Sequence, residues 1–234
     1  MLGLTFGKPN GSALEILCIG AHCDDIEIGC AGTVIAIQQR YPQCKVHVLI
    51  LTSTPARRTE ADAAAKALVK VSARGEVRIG ALPDGLLPAH LPALKAEFER
   101  MKKAVNPDLV LTHHVLDRHQ DHRLISDVTW QTFRDHMIWE YEIPKFDGDL
   151  ATPNMYVPLS AALAARKIAL VMRAFPSQQS KPWFKAENLE AIMRLRGLES
   201  RAPSGYAEGF HCRKLLNDVA TGKAATSGAA VRKR

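Results

Sequence analysis

The sequence predicts an α/β fold: a Rossmann-like three-layer αβα sandwich around a mostly parallel sheet. Two observations carry that prediction. Short, almost unbroken apolar runs at residues 14–19, 45–51 and 108–114 read as strands buried on both faces. Stretches with apolar residues at helical spacing alternate with them, and such alternation builds parallel sheets with right-handed crossovers. At 234 residues the chain can bury one sizeable core, and nothing in it requires two domains.

Taken in order, the first strand runs into a helix over residues 26–41, with Gly29, Ala31 and Gly32 near its start. The second strand leads through Thr52-Ser53-Thr54-Pro55 to an alanine-rich helix that opens at Arg57-Arg58-Thr59-Glu60 and ends near Ser72. A short strand over 76–79, a turn-rich loop over 82–88 and a helix over 92–105 follow. The strand at 108–114 is entered through Asn106-Pro107 and leads to a helix expected over about 123–138. Two short strands, 139–144 and 154–158, flank a loop, and helices are expected over 159–175 and 186–198. A single domain is expected over 1–216. The remainder, 217–234, is Ala, Gly and Ser rich with a basic end, and reads as a disordered tail.

Composition narrows the function. Hydrophobic residues make up 47% and charged residues 24%, as in ordinary globular chains. No apolar run reaches the length of a membrane span, and residues 1–11 lack a secretory signal, so the expected location is cytoplasmic. The net charge of +7 favours anionic small molecules, but no basic patch interleaved with aromatics suggests nucleic acid. No Gly-x-Gly-x-x-Gly follows the first strand, which argues against a dinucleotide enzyme. Five cysteines without a Cys-x-x-Cys pair form neither a disulfide framework nor a structural zinc cluster. Cys18 and Cys44 read as small buried apolar residues.

Chemistry concentrates in two places. His22-Cys23-Asp24-Asp25 follows the first strand, and Asp117-Arg118-His119-Gln120-Asp121-His122 follows the strand that ends in His113 and His114. Both clusters lie just past the carboxyl end of a strand, where open α/β sheets bind ligands. Five of the nine histidines fall in these stretches. His22 and Asp25 are suitable Zn²⁺ ligands, and a free Asp24 beside them suits a general base. The alternative is structural: Asp24, Asp25 or Asp121 capping a helix, with the histidines as packing residues.

Ala21-His22-Cys23-Asp24-Asp25, with Glu27, Gly29, Gly32 and Thr33, resembles the Ala-His-Pro-Asp-Asp signature of the PIG-L/LmbE-like N-acetylglucosaminyl deacetylases. His119-Gln120-Asp121-His122 is similar to the family's His-Pro-Asp-His motif. Tyr206-Ala207-Glu208-Gly209-Phe210 is similar to its Tyr-Ala-Glu-x-Phe close. The likeness runs from about residue 14 to 214. Cys23 stands where the family has proline, which removes a backbone constraint and places a thiol, itself a zinc donor, beside the proposed ligands. Its side chain is expected to point away from those of His22 and Asp24.

The resemblance implies an LmbE-like fold and a zinc-dependent hydrolase that removes the acetyl group from an N-acetylglucosamine-containing substrate. On that reading His22, Asp25 and His122 hold Zn²⁺, or Fe²⁺, which the same donors accept. Asp24 is the general base, a protonated His119 stabilises the oxyanion, and Asp121 orients one of the histidines and raises the pKa of His119. A bell-shaped pH profile follows. Arg57, Arg58 and Asn154 are candidate substrate contacts, with Tyr141 and Glu142 as further lining residues. The partner is an amino-sugar small molecule, anionic for preference, and homo-oligomers are compatible with the family. The alternatives are an amidase acting on a larger acyl or thiol-sugar conjugate, a two-metal phosphoesterase, and a silent sugar- or nucleotide-binding module.

Overall fold

The structure, a computed structural model, describes residues 3, 5, 6, 13–69 and 74–216; the expected tail over 217–234 lies outside them. Five parallel strands form most of one sheet: β1 (Glu15–Gly20), β2 (Lys45–Thr52), β3 (Arg74–Leu82), β4 (Leu109–His113) and β5 (Met137–Tyr141). The strands β6 (Met155–Leu159) and β7 (Tyr206–His211) complete the order β3-β2-β1-β4-β5-β7-β6. β7 is antiparallel to both its neighbours.

Strand alternation assigns the two cores. Ile16 and Cys18 of β1, with Val46, Val48 and Ile50 of β2, face one layer. It is made by α1 (Asp25–Arg40), α2 (Pro55–Val69), α5 (Ala161–Ala174) and α6 (Ala186–Ser200). Leu17 and Ile19, with Leu49 and Leu51, face the other layer, α3 (Leu91–Ala104) and α4 (Gln120–Thr132). Cys18 and Cys44 are fully buried, as expected of small apolar residues. Among the described residues no helix is long and apolar enough to cross a membrane.

Three elements differ from the sequence expectation. The helix expected over 123–138 ends at Thr132, and Met137 and Ile138 belong to β5, held in register with Leu109 and Val110 of β4. The third strand is nine residues rather than four. Its ends carry Gly75, Gly80 and Ala81, poor strand formers, and its pairing with β2 shifts register there. Tyr206 to Phe210, given no element above, forms most of β7, a pairing that local sequence does not encode.

The order reverses between β1 and β4, the topological switch point of a doubly wound sheet. α1 begins there and is buried along nearly its whole length. Close approach fixes its position. Tyr141 lies against Gly29, where an added Cβ would come within 2.3 Å of the ring, and the Tyr141 hydroxyl donates to Ile19 O at 2.6 Å. Glu208 of β7 accepts from the Gly32 and Thr33 amides at 3.0 and 2.6 Å and from buried Lys167 of α5 at 2.5 Å. One carboxylate thus ties α1, α5 and β7 together.

Gly29→Ala is therefore expected to destabilise the fold by about 1–3 kcal/mol, the usual range for overpacking a filled core. Urea denaturation checks it. An unchanged midpoint would mean that the ring of Tyr141 moves aside freely.

Candidate metal centre and catalytic site

The chain leaves β1 at Gly20, makes a turn through Ala21 to Asp24, and enters α1 at Asp25. Asp24 occupies the helix N-cap position but its side chain makes no capping bond there. Asp25 Oδ2 accepts from the His22 amide at 2.6 Å, which folds the acid back over the turn. The second cluster is built from the end of β4. His119 caps α4, its Nδ1 accepting from the Asp121 amide at 3.3 Å, and Asp117 Oδ1 accepts from the His119 amide at 2.8 Å. The capping alternatives for Asp24 and Asp121 therefore do not hold.

The two turns meet. His22 Nδ1 lies 3.1 Å from His122 Nε2 and 3.4 Å from Asp25 Oδ2, and His122 Nε2 lies 3.6 Å from Asp25 Oδ1. Tetrahedral ligands at zinc distances stand about 3.3–3.5 Å apart, so these donors fit one such ion. The outward ring nitrogens fit as well. His122 Nδ1 is 2.8 Å from Asp117 Oδ2; His22 Nε2 is 3.0 Å from Asp84 Oδ1 and 3.3 Å from Asp121 Oδ2. An imidazole whose outer N–H meets a carboxylate presents its lone pair inward, the usual arrangement behind a metal. Overlapping donor groups also include His113, His119, Asp84 and Asp121. Other partners occupy most of these. His119 Nδ1 serves the helix cap, and Asp121 accepts from the Gly85 and Leu87 amides at 2.8 and 3.1 Å. His113 Nε2 accepts from the Ala21 amide at 3.0 Å and also lies 3.0 Å from Asp25 Oδ2.

Charge follows this geometry. Burial opposes ionisation of Asp25, but His113, His122 and His22 outweigh it and hold its carboxyl well below the usual range. Burial likewise opposes the charge on His22, and Asp25 with Asp121 and Asp84 raises it well above an ordinary histidine. Asp24 differs. Burial raises its carboxyl, while Arg57, 2.8 Å away at Asp24 Oδ1, draws it back.

The predicted residues divide accordingly. His22, Asp24, Asp25, His119, Asp121, His122 and Arg57 come together. Arg58 does not: its guanidinium donates to Ile79 O at 2.6 Å. Nor does Asn154, whose amide is spent on Cys212 N and O at 2.8 and 3.0 Å. Glu142 is held by Arg196 at 2.7 Å, and Tyr141 packs against α1. The expected rise in the His119 pKa is reversed. Burial and the neighbouring His122 and His22 lower it, and they outweigh Asp121. Asp121 supports His22 instead. Cys23 donates its thiol to Thr52 O at 3.5 Å, and burial pushes that thiol up to about 11, so it is neither aimed at the centre nor a thiolate.

Sequence reading missed Asp84, Asp117, His113 and Lys145. Asp117 was the most legible, an acid five residues before His122 within the same cluster. Asp84 sits in a Pro-Asp-Gly turn that carries no sign of its target.

A family model described as PIG-L, GlcNAc-PI de-N-acetylase, matches residues 17–133, which contain both motifs. The fold resembles the conserved protein TT1542 from Thermus thermophilus at TM-score 0.67 and 25% identity, covering 90% of this chain and 100% of that one. It also resembles GalB, the 4-carboxy-2-hydroxymuconate hydratase from Pseudomonas putida, at 0.69 and 18%, covering 87% and 98%. The N,N'-diacetylchitobiose deacetylase from Pyrococcus horikoshii matches at 0.59 and 18%, covering 91% and 87%. With half of its length, both acid and histidine turns included, matched by the family model, the chain belongs to the PIG-L family.

Proposed function

We propose that this protein is a zinc-dependent hydrolase that removes the acetyl group from an N-acetylglucosamine unit, releasing acetate and a free amine. One observation carries the reading. His22 Nδ1, His122 Nε2 and Asp25 converge on one point, while the adjacent Asp24 is left out of that set and paired to Arg57. Membership of a family described by a GlcNAc-PI de-N-acetylase, and the likeness to an N,N'-diacetylchitobiose deacetylase, support the substrate class. The hydratase on the same fold means that the fold alone does not choose the reaction.

His22, Asp25 and His122 would hold the ion. When bound, Zn²⁺ supplies Lewis-acid polarisation of the amide carbonyl and lowers the pKa of the attacking water. Asp24 accepts the proton of that water as the new C–O bond forms. It returns the proton to the sugar nitrogen as the C–N bond breaks, which leaves acetate and the amine. Arg57 orients Asp24 and keeps it from collapsing onto the ligand set. His119 has its Nδ1 occupied as an acceptor, so its neutral form carries the proton on Nε2 and donates from there to the developing oxyanion. This replaces the protonated imidazole expected from sequence. Asp121 and Asp117 fix the rings of His22 and His122. Arg57, the cation beside the base, is the substrate contact we retain.

Three expectations follow. Asp24→Asn keeps metal content near one equivalent and lowers kcat by about 10²–10⁴-fold, the range for a positioned base. Loss of the metal instead would place Asp24 among the ligands. His122→Ala loses the metal, and Asp117→Asn weakens zinc affinity by about 10–100-fold, both read by competition with a chromogenic chelator. Unaltered affinity in either variant would remove that residue from its role. The reaction itself is checked by acetate release from free, malate-linked, UDP-linked and inositol-linked N-acetylglucosamine, with Asp24→Asn as control. Metal-loaded protein that releases acetate from none of them would overturn the deacetylase reading.

A further inference from the structure

Single exposed apolar side chains are ordinary on a protein surface; several on the loops at one edge of a sheet draw attention to that edge. Leu86 is 55% exposed on the β3–α3 loop and Leu116 65% exposed on the β4–α4 loop, so both stand on loops that build the metal centre. Phe146, 75% exposed, and Leu150, 41% exposed, stand on the β5–β6 loop at the same edge of the sheet.

The last two do more than face solvent. With Pro182, Trp183, Ile192 and Leu195 they line a groove of about 440 Å³ between that loop and α6, within the size range of small-molecule sites. Polar groups on its walls are already engaged. The Lys145 ammonium is 3.0 Å from Asp117 Oδ2 and 2.5 Å from Asp149 Oδ2, and Asn188 Nδ2 donates to Trp183 O at 2.9 Å. The groove therefore offers apolar contact and little else. Its wall adjoins the catalytic centre. Lys145 and Leu150 are shared with a small hollow that His114 and Asp117 also line, and Asp117 is the carboxylate behind His122.

We propose that this groove takes an uncharged apolar group of the substrate, an alkyl or aryl aglycone, while the acetamido group lies at the His22–Asp25–His122 centre. The proposal rests on the deacetylase reading for the position of the acetamido group only. The groove's preference for apolar matter stands on its own lining. Phe146, Leu150 and Leu195 are the exposed side chains of its lining whose burial a ligand gains, and of these Phe146 and Leu195 lie outside the hollow next to Asp117.

The test uses the zinc-loaded full chain and two probes without an acetamido group, octyl β-D-glucoside below its micelle concentration and methyl β-D-glucoside. Binding is read by tryptophan fluorescence, with Trp183→Phe identifying the reporter. The octyl probe is expected to bind roughly tenfold tighter or more, since each buried methylene adds to affinity. Phe146→Ser and Leu195→Ser should each weaken it several-fold at unchanged zinc content. Both variants should also raise KM for octyl N-acetyl-β-D-glucosaminide more than for the methyl glycoside. Equal affinity for the two probes, or octyl binding indifferent to both substitutions, would overturn the groove assignment even if acetate is released. Tight octyl binding with no acetate released from either glycoside would support the groove and overturn the deacetylase reading instead.

Discussion

Donor atoms of three residues, His22, His122 and Asp25, stand 3.1–3.6 Å apart around one point, and an ion held there would impose a constraint on everything around it. Each imidazole must keep its lone pair inward, so each needs an acceptor for its outer N–H. Asp117 and Asp121 fill that need, and they in turn need donors. Asp121 takes them from the Gly85 and Leu87 amides; Asp117 takes them from the His119 amide and Lys145, which also binds Asp149. Loops that follow β1, β3, β4 and β5 are thereby tied to one centre. Acidic groups outnumber the fixed cations at the centre. Among the described residues, Asp24, Asp25, Asp84, Asp117 and Asp121 face only the fixed cations Arg57 and Lys145. The elevated His22 pKa is the same deficit expressed as proton affinity. A divalent cation would meet it while displacing that proton, which would link metal binding to proton release.

The scaffold serves the same constraint. Asp25 is the first residue of α1, so its carboxylate can be no better placed than the helix. Tyr141 against Gly29 sets the helix height over the sheet, and Glu208 with Lys167 sets its rotation from the far side. A buried ion pair is poor evidence of net stability, because desolvation offsets much of its attraction. Here its use is directional: two adjacent amides of α1 aim at one carboxylate. That contact explains the Tyr-Ala-Glu-x-Phe stretch, which is distant from the metal centre in sequence.

Much of this was legible beforehand, for physical reasons. β1, β2 and β4 are buried on both faces, so their composition announces them. The meeting of His22, Asp24, Asp25 and His122 was legible because two acid and histidine clusters sat at equivalent strand ends. What failed was non-local. The α4–β5 boundary depends on pairing to β4, and β7 on neighbours far along the chain. Arg58 and Asn154 have the right type and position for substrate contacts, yet each finds a backbone partner that no spacing rule reveals. The His119 pKa goes the other way because a near carboxylate competes with burial and the surrounding imidazoles, and spacing shows only the carboxylate.

The adjacent acids Asp24 and Asp25 show how one turn yields two roles. Neighbouring residues at a helix start project about 100° apart, so two identical side chains meet different surroundings. Asp25 turns to three imidazoles and is held ionised; Asp24 turns to Arg57 in a buried setting that raises its carboxyl. Environments that push paired titratable groups in opposite directions separate a ligand from a base. That separation gives one turn an ionised carboxylate and, beside it, a carboxyl suited to moving a proton. What such a pair acts on is decided by what surrounds it: the ring of His119, the guanidinium of Arg57 and, on the proposal above, the apolar groove beside Trp183.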